Sequence, residues 1–349
     1  MKNNKLFILI LFFLNISFAQ NINKIQFESK DQGFYRSITD FIIINDKLII
    51  CDFFRGRVYC YKYSNGRAAF LYEIGRPGQG PGDIEKPFAV SAYNDLISIK
   101  DQQGISTFKI DGQFLSKFRT FSPYIAFVLI KDRIYYLNAN MISNYLIDVF
   151  DLNGKLCFQF GDKSFSQNRN ELDNLNSFRE FLIYDGFLLK DDNYLYYINN
   201  RFGTLDKYSL SGEKIITVNL IEKLDENAKV KVNINKNKLI KPQYLILDKG
   251  RAGEKSLFMD AYIDSDYIYL LMDQHDAIYN KSTDLIDIKR VNINNFKVSS
   301  FYSHKLYKKE RLSNIAVKSV NEGILILLDI DSEEGLNIYE SFLAKTNRS

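Results

Sequence analysis

One phrase recurs six times along this chain, and it limits the possible folds more than any other feature. An apolar β run ends in Asp or Asn, then come a short polar loop, a second strand, a Gly or polar turn and a third strand. The copies begin at KLIICD (47–52), DLISIKD (95–101), RIYYLN (133–138), YLYYINN (194–200), YIYLLMD (267–273) and ILILLDI (324–330). Each follows a further apolar segment that ends in a polar turn, such as FIIIND (41–46) or FAVSAYN (88–94). Six copies of four strands predict an all-β chain, a six-bladed β-propeller with four antiparallel strands per blade. A β-sandwich would use fewer strands, and a parallel β-helix shorter and more even coils. In the fifth copy HDAIYN (275–280) reads as the third strand and KSTD (281–284) as the turn after it. Insertions at 161–186 and 220–257 make the spacing uneven, and a short helix has room only at 220–240 or 301–312.

The sixth copy stops after its third strand. The alternating segment INKIQFES (22–29) precedes the first copy with no blade of its own. It is predicted to close the ring as the outer strand of the last blade, which removes a loose end. Aromatic content supports strands: 23 Tyr and 28 Phe make up 15% of the chain with no Trp, and such residues favour pleated, half-buried surfaces.

The N-terminus reads as a secretory signal. Lys2 and Lys5 precede the nine-residue apolar run Leu6–Leu14, and Ser17 and Ala19 supply small residues before a cut ahead of Gln20. The expected organisation is a signal peptide over 1–19 and a propeller over 20–349, in the periplasm or outside the cell. Position 20 is not Cys, so no lipid anchor is expected, and no other apolar run approaches a membrane span. Removing two lysines takes the net charge from +4 to +2. The cations are scattered, so a nucleic-acid partner has no electrostatic footprint. The most basic run, Lys229–Lys241, alternates like a solvent-facing strand.

Cys51 and Cys60 flank the turn CDFFRGRVYC. With Arg55 and Gly56 as the two central turn residues, 51 faces 60, close enough for a cross-strand bridge, with two buried free thiols as the alternative. Cys157 has no evident partner.

Glu73–Phe88 holds four of the 18 glycines and three of the five prolines of the whole chain. It reads as a link between two blades. A phosphate-cradling loop would need a helix with Lys and Ser or Thr after it, and Ile84-Glu85-Lys86-Pro87 follows instead. Over residues 47–90 the chain resembles the NHL-type propellers: Asp52 ends the second strand, Arg57 opens the third, and a GQGPGD link with Pro87 leads to the next inner strand. The link is similar to that of bacterial exported six-bladed propellers of largely unassigned function. The resemblance weakens over the later blades, where Arg57 has no clear equivalent. It implies a fold and an exported location, and no activity.

In a propeller the second-to-third loops and the outer-to-inner links share one face. That face gathers Asp52, Asp101, Asn138, Asn199, Asp273 and Asp329, with Arg57, Arg76, Gln79 and His275. As a set they are candidates for a polar ligand-binding mouth; singly, each Asp or Asn is a natural cap for its own loop. His275 and His304 are the two histidines and are not at ligand spacing. The acidic run 329–335 offers Asp329, Asp331 and Glu333 as calcium ligands without the full loop pattern. No nucleophile elbow or Ser-His-Asp order is present. The expected function is therefore non-catalytic recognition of a glycan, peptide or envelope protein, with no resident cofactor. A carboxylate- and calcium-dependent lyase or hydrolase, or a structural assembly module, stands as the alternative.

Overall fold

The computed structural model describes residues 22–28, 38–120, 126–138, 143–163, 184–200, 203–224, 257–272, 275–276, 281–282, 285–306, 311–320, 323–332 and 335–344. Residues 1–19, over which a signal peptide is expected, most of both insertions, Asp273 and Glu333 lie outside them. Within them the chain forms six antiparallel four-stranded sheets arranged as a ring, a six-bladed β-propeller.

Blade 1 is Ile38–Ile44, Lys47–Asp52, Arg57–Ser64 and Arg67–Ile74, from inner to outer strand. Blades 2, 3 and 4 repeat that order over 89–119, 127–162 and 186–219. Blade 5 is Phe258–Asp264, Tyr267–Met272, Leu285–Asn292 and Val298–Lys305. Blade 6 is Arg311–Val320, Gly323–Ser332 and Gly335–Ala344, completed by Asn23–Lys24. Each inner strand touches those of the two neighbouring blades, and blade 6 touches blade 1, so the circle is closed. The middle strands are buried on both sides and form the apolar cores between blades. Ile49, Cys51, Val58 and Cys60 of blade 1 pack with Val90, Ile97, Ile99 and Phe108 of blade 2, for example.

The seam is built as expected, with one addition. Asn23 and Lys24 pair antiparallel with Glu340 and Tyr339. The same segment then crosses to blade 1, where Gln26–Glu28 pairs parallel with Arg67–Ala69. Ile25 sits at the crossing, 2% exposed, its amide donating to the Ile338 carbonyl at 2.9 Å. One short segment thus bonds to the first blade and the last.

Loop chemistry follows local sequence. Asn65-Gly66 of blade 1 has positive φ at both residues (48° and 76°), the geometry of a two-residue hairpin that matches strand twist. In blades 2, 3 and 4 the third-to-outer hairpin carries a bulge and a left-handed glycine at 112, 154 and 212.

Two expectations are corrected, and a third is met at one of its two places. The third strand of blade 5 is Leu285–Asn292; His275–Asp276 and Lys281–Ser282 pair only with each other, as a small hairpin inserted before it. The one described helix is the single turn Ile221–Leu224, and no helix lies at 301–305, which is strand. The loop after Asp52 holds four residues, so Asp52 faces Arg57, Cys51 faces Val58 and Cys60 faces Ile49. The two thiols are therefore two positions out of register, and both are free and buried. Burial raises both thiol pKa values, most strongly for Cys51. Cys157 is free and exposed.

Candidate functional site

Four of the Asp and Asn that end the second strands, Asp52, Asp101, Asn138 and Asn199, are buried. Asp52 is 0% exposed; its Oδ1 accepts the Arg55 amide at 3.1 Å, with the Arg55 guanidinium 3.8 Å from Oδ2. Asp101, also 0% exposed, accepts the amides of Gln103 and Gly104 at 2.8 Å and that of Glu85 at 3.1 Å. Lys117 Nζ reaches it at 3.3 Å. Asn138 donates to Asp148 at 2.8 Å, and Asn199 to the Tyr197 hydroxyl at 2.8 Å. Their polarity satisfies their own loops and blades. Of the remaining markers only the backbone is described: His275 pairs with Ser282, Asp329 with Asn314 and Ile338, and Asp331 with Arg311 and Leu336.

The blade 1–2 link is a built element. Arg76–Pro77 pairs parallel with Asp83–Ile84, and the glycines between them make the tight return. Asp83 accepts Arg76 Nε at 2.7 Å and the Gly80 amide at 2.9 Å. The Arg76 guanidinium beside it holds the Asp83 carboxyl below its ordinary range. Gln79 and Gln103 both donate to Glu85, and Arg57 is bound by Glu73 across the sheet. The link crosses the top of blade 2, and its last turn brings Phe88 against Phe53, ring centroids 5.2 Å apart. Lys86 lies over the Phe53 ring at 5.8 Å. Phe54 follows, edge-on to Phe53 and 68% exposed, the most exposed large apolar side chain described. An aromatic rim therefore stands on the face that carries the link.

Behind the rim lies the axial channel, a cavity of about 430 Å³ lined by the inner strands of all six blades. Polar side chains join those strands. Asp40 accepts the Val90 amide of blade 2 at 2.8 Å, Ser91 the Leu129 amide of blade 3 at 2.9 Å, and Asp260 the Ile315 amide of blade 6 at 2.7 Å. Asp40 and Asp260 hold equivalent places, each beside a bulge and five residues before the turn to the second strand. Burial pushes the Asp40 carboxyl up to about 7 against the pull of the Val90 and Phe41 amides. Burial, with Asp264 and Asp40 nearby, raises the Tyr262 phenol. At the other end of the channel burial lowers the Lys190 ammonium to about 8, and it sits 4.6 Å from the centre of the Tyr93 ring. The sequence reading singled out none of Asp40, Asp260 and Lys190. Among the described residues no cluster of three or more His, Cys, Asp or Glu is placed to hold a metal ion.

The raised Asp40 pKa makes a stability prediction. The folded state holds the proton more tightly than the unfolded chain, so stability falls as pH rises from about 4 to about 7. Asp40→Asn keeps an oxygen for Val90 and removes the charge. Tyr262 and Cys51, which lie near it, are both pushed above their ordinary values and do not titrate over that interval. The Asn variant should match the wild type near pH 4 and exceed it by about 1–3 kcal/mol at pH 8, less than the full shift implies because the side chain opens on the cavity. Thermal melts at the two pH values check this; a difference independent of pH would remove the assignment.

A scan against protein-family models finds no match to this sequence, and a search of curated proteins finds none at a significant level. Solved structures do match. A Bacteroides fragilis protein described as a candidate exported protein aligns over 93% of this chain and 95% of its own, with 13% identity and a TM-score of 0.54. A Bacteroides thetaiotaomicron protein of unknown function aligns over 93% and 76%, with 11% identity and a TM-score of 0.51. A streptogramin B lyase aligns over 94% and 88% at 12% identity, with a TM-score of 0.49. These likenesses are likenesses of fold. No helix among the described residues is long and apolar enough to cross a membrane.

Proposed function

We propose that this protein is an exported, non-catalytic, NHL-like propeller that holds a peptide or glycan partner on the face bearing the blade 1–2 link. The observation that carries this reading is Phe54, 68% exposed at the rim of the channel mouth and braced by the Phe53–Phe88 contact. A large aromatic ring held in water by a rigid support contributes nothing to the core. It offers contact area at low conformational cost, which sugars and apolar side chains both use. Lys86 and Arg76, both exposed, add donors beside it. Export is supported by the leader pattern at 1–19 and by the Bacteroides fragilis neighbour described as a candidate exported protein.

Glycan and peptide arrays probed with the purified mature chain test the reading. Phe54→Ala should leave the melting temperature within about 2 °C, because an exposed ring adds little to stability. Array binding should fall about tenfold or more, the loss expected at a central aromatic anchor. Equal array profiles for the two chains would overturn the assignment of the face.

A further inference from the structure

The ring encloses more space than its strands need. The axial cavity of about 430 Å³ falls within the range of small-ligand sites, roughly 300–1,000 Å³. Its charges are unevenly placed. Asp40 of blade 1 and Asp260 of blade 5 line the mouth where the inner strands begin. Lys190, the last residue of the blade 4 inner strand, lines the opposite end, across the ring from blade 1. Apolar walls lie between, including Ile43, Leu188 and Met259.

Asp40 has no cationic partner among the described residues; it accepts the Val90 amide, and the Cys51 thiol and Tyr262 phenol lie near it. A carboxylate on a cavity wall without a counter-ion favours any cation that can enter. Asp260 stands beside the same mouth with Oδ2 on the Ile315 amide and Oδ1 on the Ala261 amide. Carboxylates already engaged by backbone amides have few lone pairs left for the six to eight oxygen contacts that calcium takes. An ammonium group needs only two or three acceptors and brings carbon that matches the apolar walls.

We propose that the axial cavity binds a small organic amine, its ammonium against Asp40 at the mouth that Asp260 also lines and its carbon chain along Ile43, Leu188 and Met259. A carboxylate at the far end of such a ligand meets Lys190, so ω-amino acids fit both poles. The reading rests on the cavity alone and does not depend on the aromatic rim.

Isothermal titration of the mature chain with putrescine, aminocaproate, caproate and calcium chloride tests it. Both amines should bind with a dissociation constant near or below about 1 mM. Caproate, which lacks the ammonium, should bind at least about tenfold more weakly. Asp40→Asn, which retains an oxygen for Val90, should weaken both amines about tenfold or more while melting no lower than the wild type at pH 8. Lys190→Met should weaken aminocaproate and leave putrescine alone. Silence from both amines, caproate binding equal to aminocaproate, or an Asp40→Asn chain that binds amines normally would overturn the site. Calcium binding with neither amine bound would overturn it in favour of a metal. An equal effect of Lys190→Met on the two amines would overturn the orientation. Failure on any of these counts leaves the array result at Phe54 to be judged separately.

Discussion

Replacing Ile25 with Asp should open the ring. Ile25 is 2% exposed and packs with Ile38, Phe41, Leu48, Ala316, Leu327 and Ile338, side chains of blades 1 and 6. Truncating such a residue to Ala costs about 2–5 kcal/mol, and a carboxylate in its place adds the cost of a buried charge with no partner. The loss should fall on both sides of the seam, because the segment carrying Ile25 pairs with Tyr339 and Glu340 on one side and with Arg67–Ala69 on the other. Two contacts reinforce it: the Tyr63 hydroxyl of blade 1 bonds Glu340 of blade 6, and Lys318 of blade 6 bonds the Asn45 carbonyl of blade 1. With the seam segment disengaged, those contacts and the inner-strand packing of blade 6 on blade 1 still join the two blades. Hydrogen exchange should show the amides of Arg67–Ile74 and Gly335–Ala344 losing protection first, with blades 3 and 4 still protected. The melting temperature should drop by several degrees. An Ile25→Asp chain that melts with the wild type and keeps seam protection would mean that closure does not depend on this segment.

Strands and closure could be read from the chain because both are local matters of pattern. Period-2 alternation and polar or glycine turns mark the strands, and INKIQFES stood ahead of the first copy with no blade of its own. Where reading failed, a loop length or a pairing decided the outcome. HDAIYN has the apolar Ala-Ile-Tyr that a third strand needs, but Tyr267–Met272 pairs with Leu285–Asn292, and His275–Asp276 pairs with Lys281–Ser282. After Asp52, a four-residue loop in place of two moves the register by two and separates the cysteines. Nothing in CDFFRGRVYC chooses between those loops, since Gly56 takes a positive φ of 62° as the last loop residue as readily as it would within a shorter turn. The candidate site divides the same way. Asp52 and Asp101 were visible as loop markers, and their burial shows them serving those loops. Asp40 and Asp260 carried a fainter signal, an Asp at the third position of two mostly apolar inner strands, ITDFIII and FMDAYID. Only the ring shows that both face a common cavity.

Gly212→Ala should destabilise the protein more than Gly112→Ala, although the two glycines occupy equivalent hairpins. Their φ values are +95° and +91°, so a side chain incurs nearly the same backbone strain at either, about 1 kcal/mol or a little more. The surroundings differ. A Cβ at 112 would meet Tyr72 of the preceding blade at 3.5 Å, ordinary contact. A Cβ at 212 would lie 2.6 Å from Phe160 Cγ and 2.7 Å from its Cβ, far inside contact distance. Phe160 cannot swing aside: it is 7% exposed, with the rings of Tyr135, Phe158 and Tyr208 around it at centroid distances of 6.4, 6.0 and 5.4 Å. Relief requires blade 4 to move away from blade 3, which loosens a dense core and costs about 1–3 kcal/mol more. Denaturant titration of the two variants should therefore separate them by that amount. The same packing recurs at Gly154 against Phe118, one blade earlier, so Gly154→Ala should group with Gly212→Ala. Equal losses at 112 and 212 would mean that backbone strain alone sets the cost. The interlock of each hairpin glycine with an aromatic ring on the preceding blade would then be a consequence of ring geometry, with no part in holding neighbouring blades together.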